Sequence, residues 1–146
     1  MEVIIKNFFD LTNIELYELL SLRSEVFIVE QNCIYQDIDF KDKLAFHILL
    51  KKNKKLIGYS RLFKPGDYFK ESSIGRIVII KEYRGKGYGE ELMKISIESI
   101  NKYFKEKKIH ISAQAYLKKF YKKFNFKVKG EEYLEDGIPH IKMVKN

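Results

Sequence analysis

The stretch Ile77-Val78-Ile79-Ile80-Lys81-Glu82-Tyr83-Arg84-Gly85-Lys86-Gly87-Tyr88-Gly89 decides how this chain folds. Its four β-branched residues read as a strand, and its alternating glycines as a tight turn. Glu90-Glu91-Leu92-Met93 then opens a helix, on which Met93, Ile97, Ile100 and Phe104 form one apolar stripe. Glycine reaches dihedrals that other residues avoid and lets a backbone approach a ligand closely. The first amides of a helix have no partner within it, and the helix dipole puts positive charge behind them. Strand, glycine turn and helix start together make an anion site, best suited to phosphate. The spacing is not the G-x-G-x-x-G of a dinucleotide fold, nor the G-x-x-x-x-G-K-[ST] of a P-loop.

Working outward, Glu2 to Phe8 reads as a first strand. Thr12 and Glu15 form a capping box, with Leu11 and Leu16 placed as a hydrophobic staple, so a helix runs from Asn13 to about Gln31. Residues 32–43 look irregular and carry Asp37, Asp39 and Asp42. Leu44 to Lys51 and Leu56 to Phe63 read as a hairpin, and Ser73 to Ile80 as the strand before the glycine turn. Lys108 to Ala115 is a further strand, and Leu117, Phe120, Tyr121 and Phe124 mark a short amphipathic helix. Phe126 to Glu132 and Ile138 to Val144 close the chain as a hairpin around Glu135-Asp136-Gly137. A strand–helix–strand crossover through the glycine turn requires at least one parallel pair in an otherwise antiparallel sheet. The fold class is therefore α+β, in a single domain spanning residues 1–146.

The hydrophobic share of 45% with 33% charged residues describes a globular chain rather than a disordered one. No apolar run approaches the roughly 20 residues that span a bilayer, and the N-terminus lacks the layout of a signal peptide. One cysteine, Cys33, cannot form an internal disulfide. These features predict a cytoplasmic protein with no membrane partner. The net charge of +8 rests on scattered lysines, with only Arg23, Arg61, Arg76 and Arg84 as arginines. Nucleic-acid readers lean on arginine and aromatics in a recognisable module, so no nucleic-acid partner is expected. The charge does favour a polyanionic ligand.

With its flanks, the glycine turn resembles the coenzyme A site of the GNAT N-acetyltransferases. Arg84-Gly85-Lys86-Gly87-Tyr88-Gly89 meets the family's [QR]-x-x-G-x-[GA] signature, and Tyr121 to Phe126 its second motif, Y-x-x-x-[GN]-F. The segments 29–39 and 135–141 look like the ElaA-like branch. The resemblance implies the GNAT fold, a mostly antiparallel twisted sheet with one splayed parallel pair, flanked by helices. It implies acetyl-CoA as acyl donor, no metal, and a small-molecule or peptide amine as acceptor. Many relatives dimerise, which leaves a homodimer open. Arg84, Gly85, Lys86, Gly87, Tyr88 and Gly89 would hold the pyrophosphate. Ile77, Val78 and Ile79 would pair with pantetheine, in a slot whose other wall is Ser112 to Gln114. A non-catalytic acyl-CoA-binding module on the same fold is the alternative.

Direct transfer needs a neutral amine and a proton donor for the departing thiolate. Spacing leaves Tyr121 either in the core or at the site; the resemblance makes it the donor. The strand before the turn has no carboxylate where many relatives carry a glutamate, so the base stays open among Glu30, Asp37, Asp39, His47 and His140, or a water held by one of them. Of these, Glu30 and His47 are taken as catalytic candidates. Asp37, Asp39, Asp136 and His140 are expected to line the acceptor pocket, whose acids would attract a cationic amine.

Overall fold

The computed structural model describes residues 1–146. Its strands are β1 (Glu2–Asn7), β2 (Phe46–Lys52), β3 (Lys55–Phe63), β4 (Ser72–Ile79), β5 (Ile109–Gln114), β6 (Lys127–Val128), β7 (Tyr133–Glu135) and β8 (Ile138–Lys145). They form one sheet in the order β1-β2-β3-β4-β5-β8-β6, with β7 also paired to β8. Helix α1 (Asn13–Arg23) continues as a π-helical stretch, Ser24–Glu30, and α2 (Tyr88–Ser99) likewise continues through Ile100–Phe104. The short α3 is Lys118–Lys122. No helix is long and apolar enough to cross a membrane.

Alternation along the strands divides the core between two faces of the sheet. Ile48 and Leu50 point to one face, where Leu92 and Met93 of α2 and Tyr121 of α3 join them. Leu49 and Tyr59 point to the other, against Leu19, Leu22 and Val26. Leu92 and Met93 are fully buried, and such side chains each contribute about 1.5–3 kcal/mol. The expected capping box forms, with Thr12 Oγ1 accepting from the Glu15 amide and Glu15 Oε1 from the Thr12 amide.

Two features place the site. Strands β4 and β5 are the parallel pair, but they meet only at Ser72–Ile109 and Ser73–His110 and then diverge. The divergence begins at a bulge in β4. Gly75 lies opposite Arg61 and Val78 opposite Tyr59, so Arg76 and Ile77 together oppose Ser60. Arg76 takes the extra residue in the left-handed region, at φ 51°. Such a bulge bends its strand and breaks the ladder locally, which opens a slot between Ile77–Ile79 and Ser112–Gln114.

The C-terminal part differs from the expected simple hairpin. Its first strand breaks at Gly130, leaving the short β6 and a separate β7. Asp136 and Gly137, both with positive φ, join β7 to β8 by a two-residue turn. Strand β8 lies between β5 and both of these short strands.

Candidate active site

The slot opens into a cavity of about 530 Å³. At one end, β4 runs into the glycine turn. Helix α2 begins at Tyr88, two residues earlier than the start at Glu90 read from the sequence, with Gly87 as its N-cap. The amides of Tyr88, Gly89 and Glu90 are thus first-turn donors without helical partners. Gly85 and Gly87 have φ of 74° and 89°, and a Cβ on either would meet nothing within 4 Å. Their positions are demanded by backbone conformation and face open space, which suits close approach of a phosphate. Gly89 has no positive φ, and a Cβ there would make ordinary contact with Phe120 at 3.7 Å. We expect Gly87→Ala to cost about 1–2 kcal/mol for a left-handed alanine and to weaken binding of a phosphate-bearing ligand, with coenzyme A as the probe. Gly89→Ala should retain near-normal stability, and thermal melts with titration calorimetry on both variants check the contrast.

The other expected donor-side residues surround this turn. The Arg84 side chain folds back: Nε donates to the Ile79 carbonyl at 2.8 Å, and Nη1 and Nη2 to Glu30 at 2.6 and 3.1 Å. It therefore ties the turn to the end of α1's π-helical extension. Lys86 is exposed, its ammonium over the Tyr83 ring, and the Tyr88 hydroxyl accepts from Lys52 at 2.6 Å. Ile77, Val78, Ile79 and Gln114 line the cavity.

Tyr121 lines the same cavity from α3. Its ring packs edge-on against Phe120 and Phe126 and is 6% exposed. Burial pushes its phenol above the ordinary tyrosine value. It is therefore protonated at neutral pH, the form a proton donor requires.

The acids follow a different pattern from the expected acceptor field. Asp37 Oδ2 accepts from Arg23 Nε at 2.9 Å, and its Oδ1 from Arg76 Nε at 2.8 Å. Asp39 takes both Nη groups of Arg61 at 2.9 Å. Asp42 Oδ1 accepts from Arg23 at 2.7 Å and from Arg61 at 2.9 Å. Three arginines thus neutralise three aspartates, and Asp37 and Asp39 are not free to bind a cation. They brace the loop that walls the cavity. Burial alone would raise the carboxyls of Asp39 and Asp42, but their arginines outweigh it and hold both below the usual range.

His47 is likewise displaced from the catalytic role considered for it. It is fully buried beneath the α1 side of the sheet and does not line the cavity. Nε2–H donates to the Asp42 carbonyl at 2.9 Å, so Nδ1 accepts from the Tyr59 hydroxyl at 2.6 Å. Burial is the main cause of its lowered pKa, which keeps the ring neutral. Glu30 lines the cavity, but both its oxygens are held by Arg84.

The other end of the cavity is completed by the β7–β8 hairpin. Glu135, Asp136 and His140 all line the cavity. The Asp136 carbonyl accepts from the Cys33 thiol at 3.2 Å, joining this hairpin to the loop opposite. Glu135 Oε1 accepts from Ser112 Oγ at 3.2 Å, and Ser112 also bonds the Tyr133 hydroxyl. Sequence reasoning missed the arginine partners and the Ser112–Tyr133 pair. The scarcity of arginine was the available signal, since all four arginines form ion pairs around this cavity.

A splayed parallel pair ending in a glycine turn at a helix start is the architecture of an acyl-CoA N-acyltransferase. The family profile for the acetyltransferase (GNAT) domain matches residues 14–146, and the chain belongs to that family. It is 43% identical to the protein ElaA of Escherichia coli K12 over 133 residues, 90% of this chain and 87% of that one. The crystal structure of Escherichia coli ElaA superposes with a TM-score of 0.93 at 39% identity, covering 99% of each chain. An acyl-CoA N-acyltransferase from Pseudomonas aeruginosa gives the same score at 36% identity, with both chains covered fully.

Proposed function

We propose that this protein transfers an acetyl group from acetyl-CoA to a primary amine, by direct attack with both substrates bound. The carrying observation is that one cavity is lined by Ile77, Val78 and Ile79 of β4, by Arg84 where the glycine turn begins, and by the buried Tyr121. The first-turn amides of α2 bind the pyrophosphate, and the bulged strand receives pantetheine by strand addition. Tyr121 protonates the departing sulfur. The acceptor enters between the loop braced by the arginines and the β7–β8 hairpin, where Glu135 and Asp136 supply the remaining negative charge. A small-molecule or peptide amine fits that reading, in the cytoplasm where acetyl-CoA is available.

The test is thiol release from acetyl-CoA against a broad panel of amines. Turnover that depends on the added amine is expected. Tight acetyl-CoA binding with no turnover on any amine would replace this reading with a sensing module.

A further inference from the structure

An ammonium cannot attack a thioester until it loses a proton, so acyl transfer in this cavity requires a proton acceptor. The ion pairs described above engage Glu30, Asp37 and Asp39, and His47 lies outside the cavity. Strand β4 carries no carboxylate. Glu135, Asp136 and His140 remain on the hairpin side of the cavity, and of these Glu135 and His140 are paired with each other.

The hairpin fixes this pair closely. Its two-residue turn sets Tyr133 opposite His140 and Glu135 opposite Ile138. The His140 ring stacks on Tyr133, with centroids 6.2 Å apart and planes at 24°. His140 Nδ1–H donates to the Ile138 carbonyl at 2.7 Å. That bond sets the ring's orientation and, in the neutral ring, leaves the lone pair on Nε2. Nε2 then faces Glu135 Oε2 at 3.3 Å, while Ser112 holds the other carboxylate oxygen. Two acceptors confronting each other across this distance form a place for one proton.

Building on the acyl-transfer reading, we infer that His140 Nε2, backed by the Glu135 carboxylate, is the base that takes the proton of the acceptor amine. One N–H bond of the ammonium breaks as Nε2–H forms, and its electron pair stays on nitrogen. That pair forms the C–N bond at the thioester carbonyl carbon. The C–S bond then breaks with its electrons on sulfur, which takes the Tyr121 proton. The second proton shed by nitrogen restores Tyr121, and His140 returns its own to solvent. One proton is released per turnover, and no redox partner is needed.

Two variants test the assignment with acetyl-CoA and the amine giving the fastest thiol release. His140→Asn retains a donor for the Ile138 carbonyl but lacks Nε2. Glu135→Gln retains the bond to Ser112 but loses the charge. Glu135 and Tyr133 from β7 contact His140, and Asp136, Tyr116 and Tyr121 share the cavity that it lines. His140→Asn should lower kcat about 100-fold at neutral pH and leave acetyl-CoA affinity, measured calorimetrically, unchanged. The deficit should shrink at alkaline pH, where a lysine-like amine with a pKa of about 10.4 sheds its own proton. Glu135→Gln should cost roughly tenfold. A kcat for His140→Asn within about threefold of wild type, with acetyl-CoA still bound, overturns the base assignment and leaves acyl transfer standing. Wild-type protein that releases no thiol with any amine overturns acyl transfer, and this base with it.

Discussion

Tyr121→Phe is expected to lower kcat by about 100-fold or more, the range that a positioned proton donor supplies. A 100-fold loss corresponds to about 2.7 kcal/mol of transition-state stabilisation. The KM for acetyl-CoA should change little, because a group that acts on the leaving sulfur contributes to the transition state rather than to ground-state binding. The fold should survive, since phenylalanine keeps the ring that packs edge-on between Phe120 and Phe126. Loss of one hydroxyl at this site should move stability by less than about 1 kcal/mol. The pH profile carries a second check. The phenol lies above its ordinary value through burial, so a fall in rate from donor deprotonation belongs above about pH 10. A Phe variant with kcat within about threefold of wild type would remove Tyr121 from the chemistry. Steady-state kinetics beside thermal melts decide the matter.

Most of the fold is legible in the sequence because each element carries a local signal. The capping box at Thr12 and Glu15 starts α1 where expected, and the β-branched run before Arg84 becomes β4. The parallel pair follows from the crossover that the glycine turn initiates. The break between β6 and β7 is less legible, because it depends on Gly130 adopting positive φ and on pairing with a distant strand. The bulge at Arg76 is harder still. A non-glycine residue in the left-handed region has no propensity signal, and it is sustained by Asp37, 39 residues away in sequence.

The site divides along the same line. The glycine turn is a contiguous motif, and its geometry is written in neighbouring residues. The opposite wall of the cavity is assembled from the extension of α1, the Cys33–Tyr35 loop that Asp37 to Asp42 brace from behind, β3 and the last hairpin. Counting acids in that region suggests a negative field, but a count says nothing of partners. Arg23, Arg61 and Arg76 arrive from three different elements and cancel Asp37, Asp39 and Asp42. The hydrophobic alternation of β2 places His47 on an inward face, yet only tertiary structure reveals that this face is roofed by α1 rather than open to the cavity.

Asp42→Ala should destabilise the protein by about 3 kcal/mol, because Arg23 keeps Asp37 and Arg61 keeps Asp39 but three arginines then face two aspartates and one buried positive charge is uncompensated. Asp42 sits at the junction of the cluster, with one oxygen shared between Arg23 and Arg61. Those arginines are 0% and 1% exposed, so water cannot replace the missing carboxylate without opening the fold. Against a total stability of about 5–15 kcal/mol the loss is large, and a fall in Tm of roughly 10 °C is expected. Asp42 and Asp39 are both held below their ordinary values in the folded protein. The unfolded chain, with aspartates near 3.9, therefore binds more protons than the folded one in acid. The pairing contribution is complete above that unfolded value and is lost as pH falls through the folded one. Wild-type and Asp42→Ala stabilities should accordingly converge on acidification, as the wild-type carboxylate protonates and releases its arginines. Urea unfolding of both proteins from neutral pH to about pH 3 tests this, and a stability difference independent of pH would mean that packing, not charge, is what Asp42 supplies.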